Sequence, residues 1–157
     1  LMQVVLVCTT GLLLFFLGYK KEKQFAAILL FLFTALLYQM RFTIRPDLYS
    51  LFFLVVYFWV LSVFLKSKWS LAVIFIAQVL WSNIHGFFFL GPLCVMIVIA
   101  AEWMKRHLPL PWEWNRVSRL KDREYRHLWQ IFAISLMACL LNPLGLKGAW
   151  YPIGVFL

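Results

Sequence analysis

The chain of 157 residues is 64% hydrophobic, 19% aromatic and only 13% charged, with a formal charge of +9 and a mean hydropathy of +0.87. A soluble domain of this length carries roughly twice that charged fraction, so composition sets the chain apart from soluble domains. A nucleic-acid footprint is also set aside, because the cations sit in short clusters at the ends of apolar runs rather than on one basic face.

In chain order, the apolar runs have the length of membrane helices, for which about 20 residues suffice, with a range of roughly 17 to 25. Leu1 to Gly18, Phe25 to Met40 with its flanks, and Leu48 to Leu65 each form one candidate span. Trp69 to Ala101 holds two short spans, with the reversal expected at Asn83, His85 and Gly86. Leu128 to Leu141 is short unless Tyr125 to His127 and Asn142 extend it, and a last segment begins near Gly148. The expectation is an all-α, polytopic transmembrane bundle of about six spans plus part of a seventh, residues 1–157 forming one domain. The chain opens on Leu1 and ends on Leu157 inside apolar segments, with no charged leader and cleavage site. We therefore expect an excised piece of a longer protein.

The gaps between the runs separate by charge. The first, third and fifth hold Lys20, Lys21, Lys23, Lys66, Lys68, Lys105, Arg106, Arg116, Arg119, Lys121, Arg123 and Arg126, whereas the others hold only Arg41, Arg45 and Lys147. Twelve against three is the positive-inside pattern, which predicts a multi-pass protein of the cell (inner) membrane with its basic loops cytoplasmic. The tryptophans agree. Trp69, Trp103, Trp112, Trp114 and Trp129 lie at basic ends and Trp81 and Trp150 at the opposite ends, as in an interfacial aromatic belt. Residues 104–127 form the long basic loop. In it Trp114, Val117 and Leu120 recur at helical spacing among Arg116, Arg119, Lys121 and Arg123, predicting an amphipathic surface helix drawn to anionic lipids.

The chemistry-bearing residues collect on the side that the cations avoid. Arg45 precedes Pro46 and Asp47 at a helix start, where proline and an acid are favourable; the plain reading is a cap beside a snorkelling arginine. The functional reading is an anion site, since a guanidinium matches two phosphate oxygens and keeps its charge. His85, between Asn83 and Gly86 at a hairpin tip, reads either as a helix-end turn or as a polar cavity at membrane depth. Asn142-Pro143-Leu144-Gly145 is first of all a turn. Cys8, Cys94 and Cys139 sit within apolar runs without metal-ligand spacing and are expected to be buried small hydrophobes. No metal site, cofactor motif, phosphate-cradling loop or nucleophile elbow is evident.

The Arg45-Pro46 step, then Trp81-Ser82-Asn83-Ile84-His85-Gly86, then Asn142-Pro143-Leu144-Gly145 ahead of Tyr151-Pro152, resembles the central part of bacterial multi-pass membrane glycosyltransferases. This is the superfamily of GT-C-type fold, related to the protein mannosyltransferases; the likeness spans about residues 41 to 152 and its motifs are short. It implies an active site on the outer face that takes a sugar from a polyprenyl-phosphate donor. Arg45, His85, Asn83 and Asn142 would bind substrate. The family's catalytic acid belongs to the first outer loop, which the resemblance places upstream of Leu1; Asp47 does not replace it. The partners expected are the bilayer, the lipid-linked sugar donor and anionic lipids at the basic loop. The alternative is a membrane transporter or lipid flippase, which builds substrate sites at broken helices. A purely structural membrane subunit is the third reading.

Overall fold

The computed structural model describes residues 2–18, 47–108 and 118–156, and among these the chain is helical with no strand. Among the described residues there are six α-helices: α1 (Met2–Gly18), α2 (Asp47–Trp59), α3 (Ser70–Ile84), α4 (Leu90–His107), α5 (Asp122–Ala138) and α6 (Gly145–Phe156). A π-helical segment, Val60–Phe64, prolongs α2, and a 3-10 turn, Gly86–Phe89, leads into α4.

The directions of the helices follow from pairs far apart in sequence. Ser70, at the start of α3, bonds His127 near the start of α5, and Asn83, at the end of α3, bonds Leu141 just past the end of α5. These two helices are therefore parallel. Arg106, at the end of α4, meets Asp122 at the start of α5, so α4 runs the other way. Early in α2, Ser50 bonds Trp81 and His85, while Lys66 beyond its other end pairs with Glu124, so α2 also opposes α3. The bundle thus has two chemically different ends. One carries Lys66, Lys68, Lys105, Arg106 and the start of α5; the other carries Ser50, Asn83, His85 and Asn142.

The core lies where α2, α3, α4 and α5 meet, around Phe53, Tyr57, Ile74, Trp81, Val95, Ile99, Leu128 and Ile131. Trp81 is 0% exposed, stacked on Phe53 at 5.6 Å and edge-on to Tyr57. The outward surface is strongly apolar, with Phe58, Val63, Ile76, Leu80, Met96, Ile97, Leu136 and Met137 exposed. Polar groups go the other way: Ser50, Ser70, Gln78, Glu102 and Ser135 are buried.

Several expectations change on this fold. Gly86–His107, at 22 residues and mean hydropathy 2.0, is the one helical stretch among the described residues long and apolar enough to cross a membrane. Leu48–Phe64, Ser70–Ile84 and Val7–Phe16 are apolar but shorter, so six complete spans are not reached by that measure; Phe25 to Met40 lies outside the described residues. The reversal at His85 is present: α3 stops there, His85 takes an extended backbone (φ −150, ψ 143), and the 3-10 turn starts at Gly86. The Leu128 segment begins earlier than expected, at Asp122, because Glu124 accepts the Lys121 backbone N–H at 3.1 Å and caps a first turn that holds both acids. Arg123 and Arg126 therefore belong to α5, and Ser118 to Lys121 is not helical. The rest of the expected surface helix lies outside the described residues. Trp81 is a core residue, not a belt residue, because its indole N–H finds a buried hydroxyl partner. Of the cysteines, which are all free, only Cys139 is buried; Cys8 is exposed on α1.

Candidate functional site

The helix break at His85 positions the candidate site. Trp81 Nε1 donates to Ser50 Oγ at 3.0 Å, and Ser50 Oγ lies 2.7 Å from His85 Nδ1. An indole N–H is only a donor, so the buried serine must accept it. The same hydroxyl lies within hydrogen-bond distance of His85 Nδ1, so Ser50 anchors the indole and the imidazole together. Phe87 packs edge-on against the imidazole at 4.8 Å and limits its rotation.

Asn83 sits two residues before His85 on the same break. Its amide nitrogen donates to the carbonyls of Val79 at 2.7 Å and Leu141 at 2.9 Å, tying the end of α3 to the turn after α5. Among the described residues no donor meets Asn83 Oδ1, and the residue is exposed.

Asn142 is committed to its own turn. Its amide donates to the carbonyls of Cys139 and Gly145, while Oδ1 accepts the Leu144 N–H at 2.9 Å. Gly145 has φ +53, the left-handed region that glycine enters at little cost, and Gly148 leaves room for the Asn142 side chain against α6. The geometry gives Asn142 a structural role and leaves it no amide proton to offer. Its turn still reaches the site: Leu141 holds Asn83, and the Tyr151 ring of α6 approaches Gly86.

So the structure brings Asn83, His85 and the Asn142 turn to one end of the bundle. Arg45 lies outside the described residues, five positions before Ser50 in the sequence. Ser50 was not a candidate on sequence. The available signal was a lone serine one turn into an apolar segment that follows the Arg45-Pro46-Asp47 step. Gln78 was missed for the same reason. It accepts the Tyr57 hydroxyl at 2.6 Å and donates to the Phe88 carbonyl and to Cys139 Sγ, linking α2, α3, the 3-10 turn and the end of α5.

At the other end, Glu102 is buried, accepting Lys105 Nζ at 2.8 Å and the Leu120 N–H at 2.9 Å. Arg106 reaches Asp122 and the Leu120 carbonyl and lies over the Tyr125 ring at 4.4 Å. Hydrogen bonding to Arg106 holds the Asp122 carboxyl below its ordinary pKa, and the Lys121 N–H, with Lys66, does the same for Glu124. Among the described residues no three metal-ligating side chains come together. Compared with known proteins, the chain matches no family model, and no curated protein or solved structure gives a match.

Proposed function

We propose that this chain is part of a multi-pass inner-membrane glycosyltransferase, with its site at the Ser50–His85 end and its basic end in the cytoplasm. The reaction moves a sugar from a polyprenyl-phosphate donor to an acceptor hydroxyl. The observation that carries the reading is His85, bonded to Ser50 at a helix break, at the end of the bundle opposite Lys66, Lys68, Lys105 and Arg106. Membrane embedding is supported by the 22-residue apolar stretch and by large apolar side chains facing outward while serines and a glutamine face inward. In lipid, such inward polar pairs tie helices together at about 1 kcal/mol each.

In the transfer, the bond from the anomeric carbon to the phosphate oxygen breaks, and a new bond forms to the acceptor oxygen. The acceptor proton goes to a general base, which is not assigned among these residues. Arg45 stabilises the charge that grows on the departing phosphate, and preorganised help of this kind is worth about 3 kcal/mol. The His85 ring hydrogen-bonds the donor or acceptor, and Asn83 offers Oδ1 to a sugar hydroxyl. The basic loop meets anionic lipid at the cytoplasmic surface.

The test is label transfer from a radiolabelled polyprenyl-phosphate sugar by the intact protein in membranes. We expect Arg45→Ala to lower transfer about 100-fold at equal protein level, in line with loss of one transition-state donor. Transfer unchanged in both Arg45→Ala and His85→Ala rules out this site, and no transfer from any donor by wild type shifts the reading to transport.

A further inference from the structure

A cavity of about 690 Å3 opens at the basic end, between the turn joining α2 to α3 and the first turns of α5. Lys66 and Lys68 line one wall and Lys121, Arg123 and Arg126 the other, with Glu124 as the one carboxylate among them. That acid is already engaged by the Lys121 N–H and by Lys66 at 3.4 Å. The walls are held together beneath by Ser70 and His127, 2.7 Å apart. Like charges gathered around one opening repel each other, and the cost falls when an anion enters. The N-terminus of α5, a helix of 17 residues, adds its positive end to the same opening.

We propose that this groove binds the phosphate headgroup of an anionic lipid of the cytoplasmic leaflet. The location favours a lipid over a soluble phosphate. Trp69, adjacent to the groove and 61% exposed with Lys68 near its ring, and Trp129, exposed on α5, mark headgroup depth as interfacial tryptophans do. Exposed apolar side chains such as Val63 on the π segment and Phe75 and Ile76 on α3 continue away from this end, where acyl chains would lie. The inference rests on the membrane placement of the bundle and not on the sugar chemistry at its other end.

The intact protein, purified in neutral detergent, is titrated with phosphatidylglycerol, phosphatidylcholine or inorganic phosphate while its thermal unfolding midpoint is followed. We expect phosphatidylglycerol to raise the midpoint saturably, and neither phosphatidylcholine nor millimolar inorganic phosphate to do so. The double variant Arg123→Gln/Arg126→Gln should weaken the apparent affinity about tenfold, and salt should weaken it further. Lys147→Glu, which lowers the net charge by the same two units at an exposed position outside both the groove and the basic loop, should shift it less than twofold. Equal losses in the groove double variant and Lys147→Glu, an equal response to phosphatidylcholine, or saturation by inorganic phosphate each overturns the proposal. Resistance of the wild-type protein to alkaline extraction from membranes is read in parallel. Protein that extracts freely refutes the membrane placement itself, whereas retained protein without lipid preference refutes only the groove.

Discussion

Gly91 shows how closely single residues are constrained here. A Cβ built on it lies 2.5 Å from Gln78 Oε1 and 2.8 Å from Tyr57 Cζ, both part of a buried hydrogen-bonded pair. Neither group can retreat without losing the other. Gly91→Ala should therefore destabilise the fold by about 2 kcal/mol, the usual cost of forcing atoms into a packed core, and thermal unfolding in detergent measures it. Gln78→Leu keeps most of the volume but leaves the Tyr57 hydroxyl and the Phe88 carbonyl without this partner. We expect a loss of about 1 to 2 kcal/mol in the same assay, small because membrane helices recover alternative partners when unfolded. At the candidate site, Ser50→Ala removes the group that fixes His85. The tautomer signature of His85 in nitrogen NMR should change from one form to a mixture, while Ser50→Thr should preserve it. A single unchanged tautomer in Ser50→Ala would remove the positioning role argued for Ser50.

Among the elements, the joint between α4 and α5 is the one built from charge. Glu102 and Arg106, one turn apart at the end of α4, grip the Leu120 backbone from both its N–H and its carbonyl, and Arg106 also holds Asp122. Asp122 and Glu124 have folded-state pKa values below their ordinary 3.8 and 4.5. A carboxylate whose pKa falls on folding adds stability above its unfolded pKa and loses it as pH drops through the folded value. Amide exchange in residues 118–124, corrected for intrinsic rates, should thus be flat from pH 8 to about 5 and rise only below about 4. Asp122 faces solvent and Glu124 is only partly covered at the helix start, so the change should be local. Protection lost already near pH 6 would point to a histidine instead and contradict this account.

For the whole molecule, the antiparallel arrangement keeps the two chemistries apart. Single cysteines placed at exposed Lys68 and Ile84 report the sides directly, with the wild-type chain as the labelling blank. In intact cells a membrane-impermeant maleimide should label Ile84→Cys, and Lys68→Cys only after permeabilisation. Labelling of both from outside would end the proposed orientation and, with it, the cytoplasmic groove. The same experiment bears on the short α3. At 15 residues it spans about 22 Å, less than a bilayer core of about 30 Å, so its ends reach opposite faces only where the membrane thins or the loops dip.

The sequence by itself determined that the chain is helical, that its long apolar run breaks at His85, and that its cations fall into alternate gaps. These are local properties: backbone satisfaction in apolar runs, glycine and proline punctuation, and charge near helix ends. Only the tertiary structure decided which polar residues act together. Ser50 and His85 are 35 residues apart, Ser70 and His127 57 apart, and nothing in either local pattern marks the pairing. The start of α5 at Asp122 was equally hidden, since Arg123 and Arg126 suit a surface helix as well as the first turn of a packed one. Trp81 looked interfacial because its position along the chain is near a helix end. It is buried because helix packing, which sequence spacing does not encode, brings a hydroxyl on α2 within reach of its indole N–H.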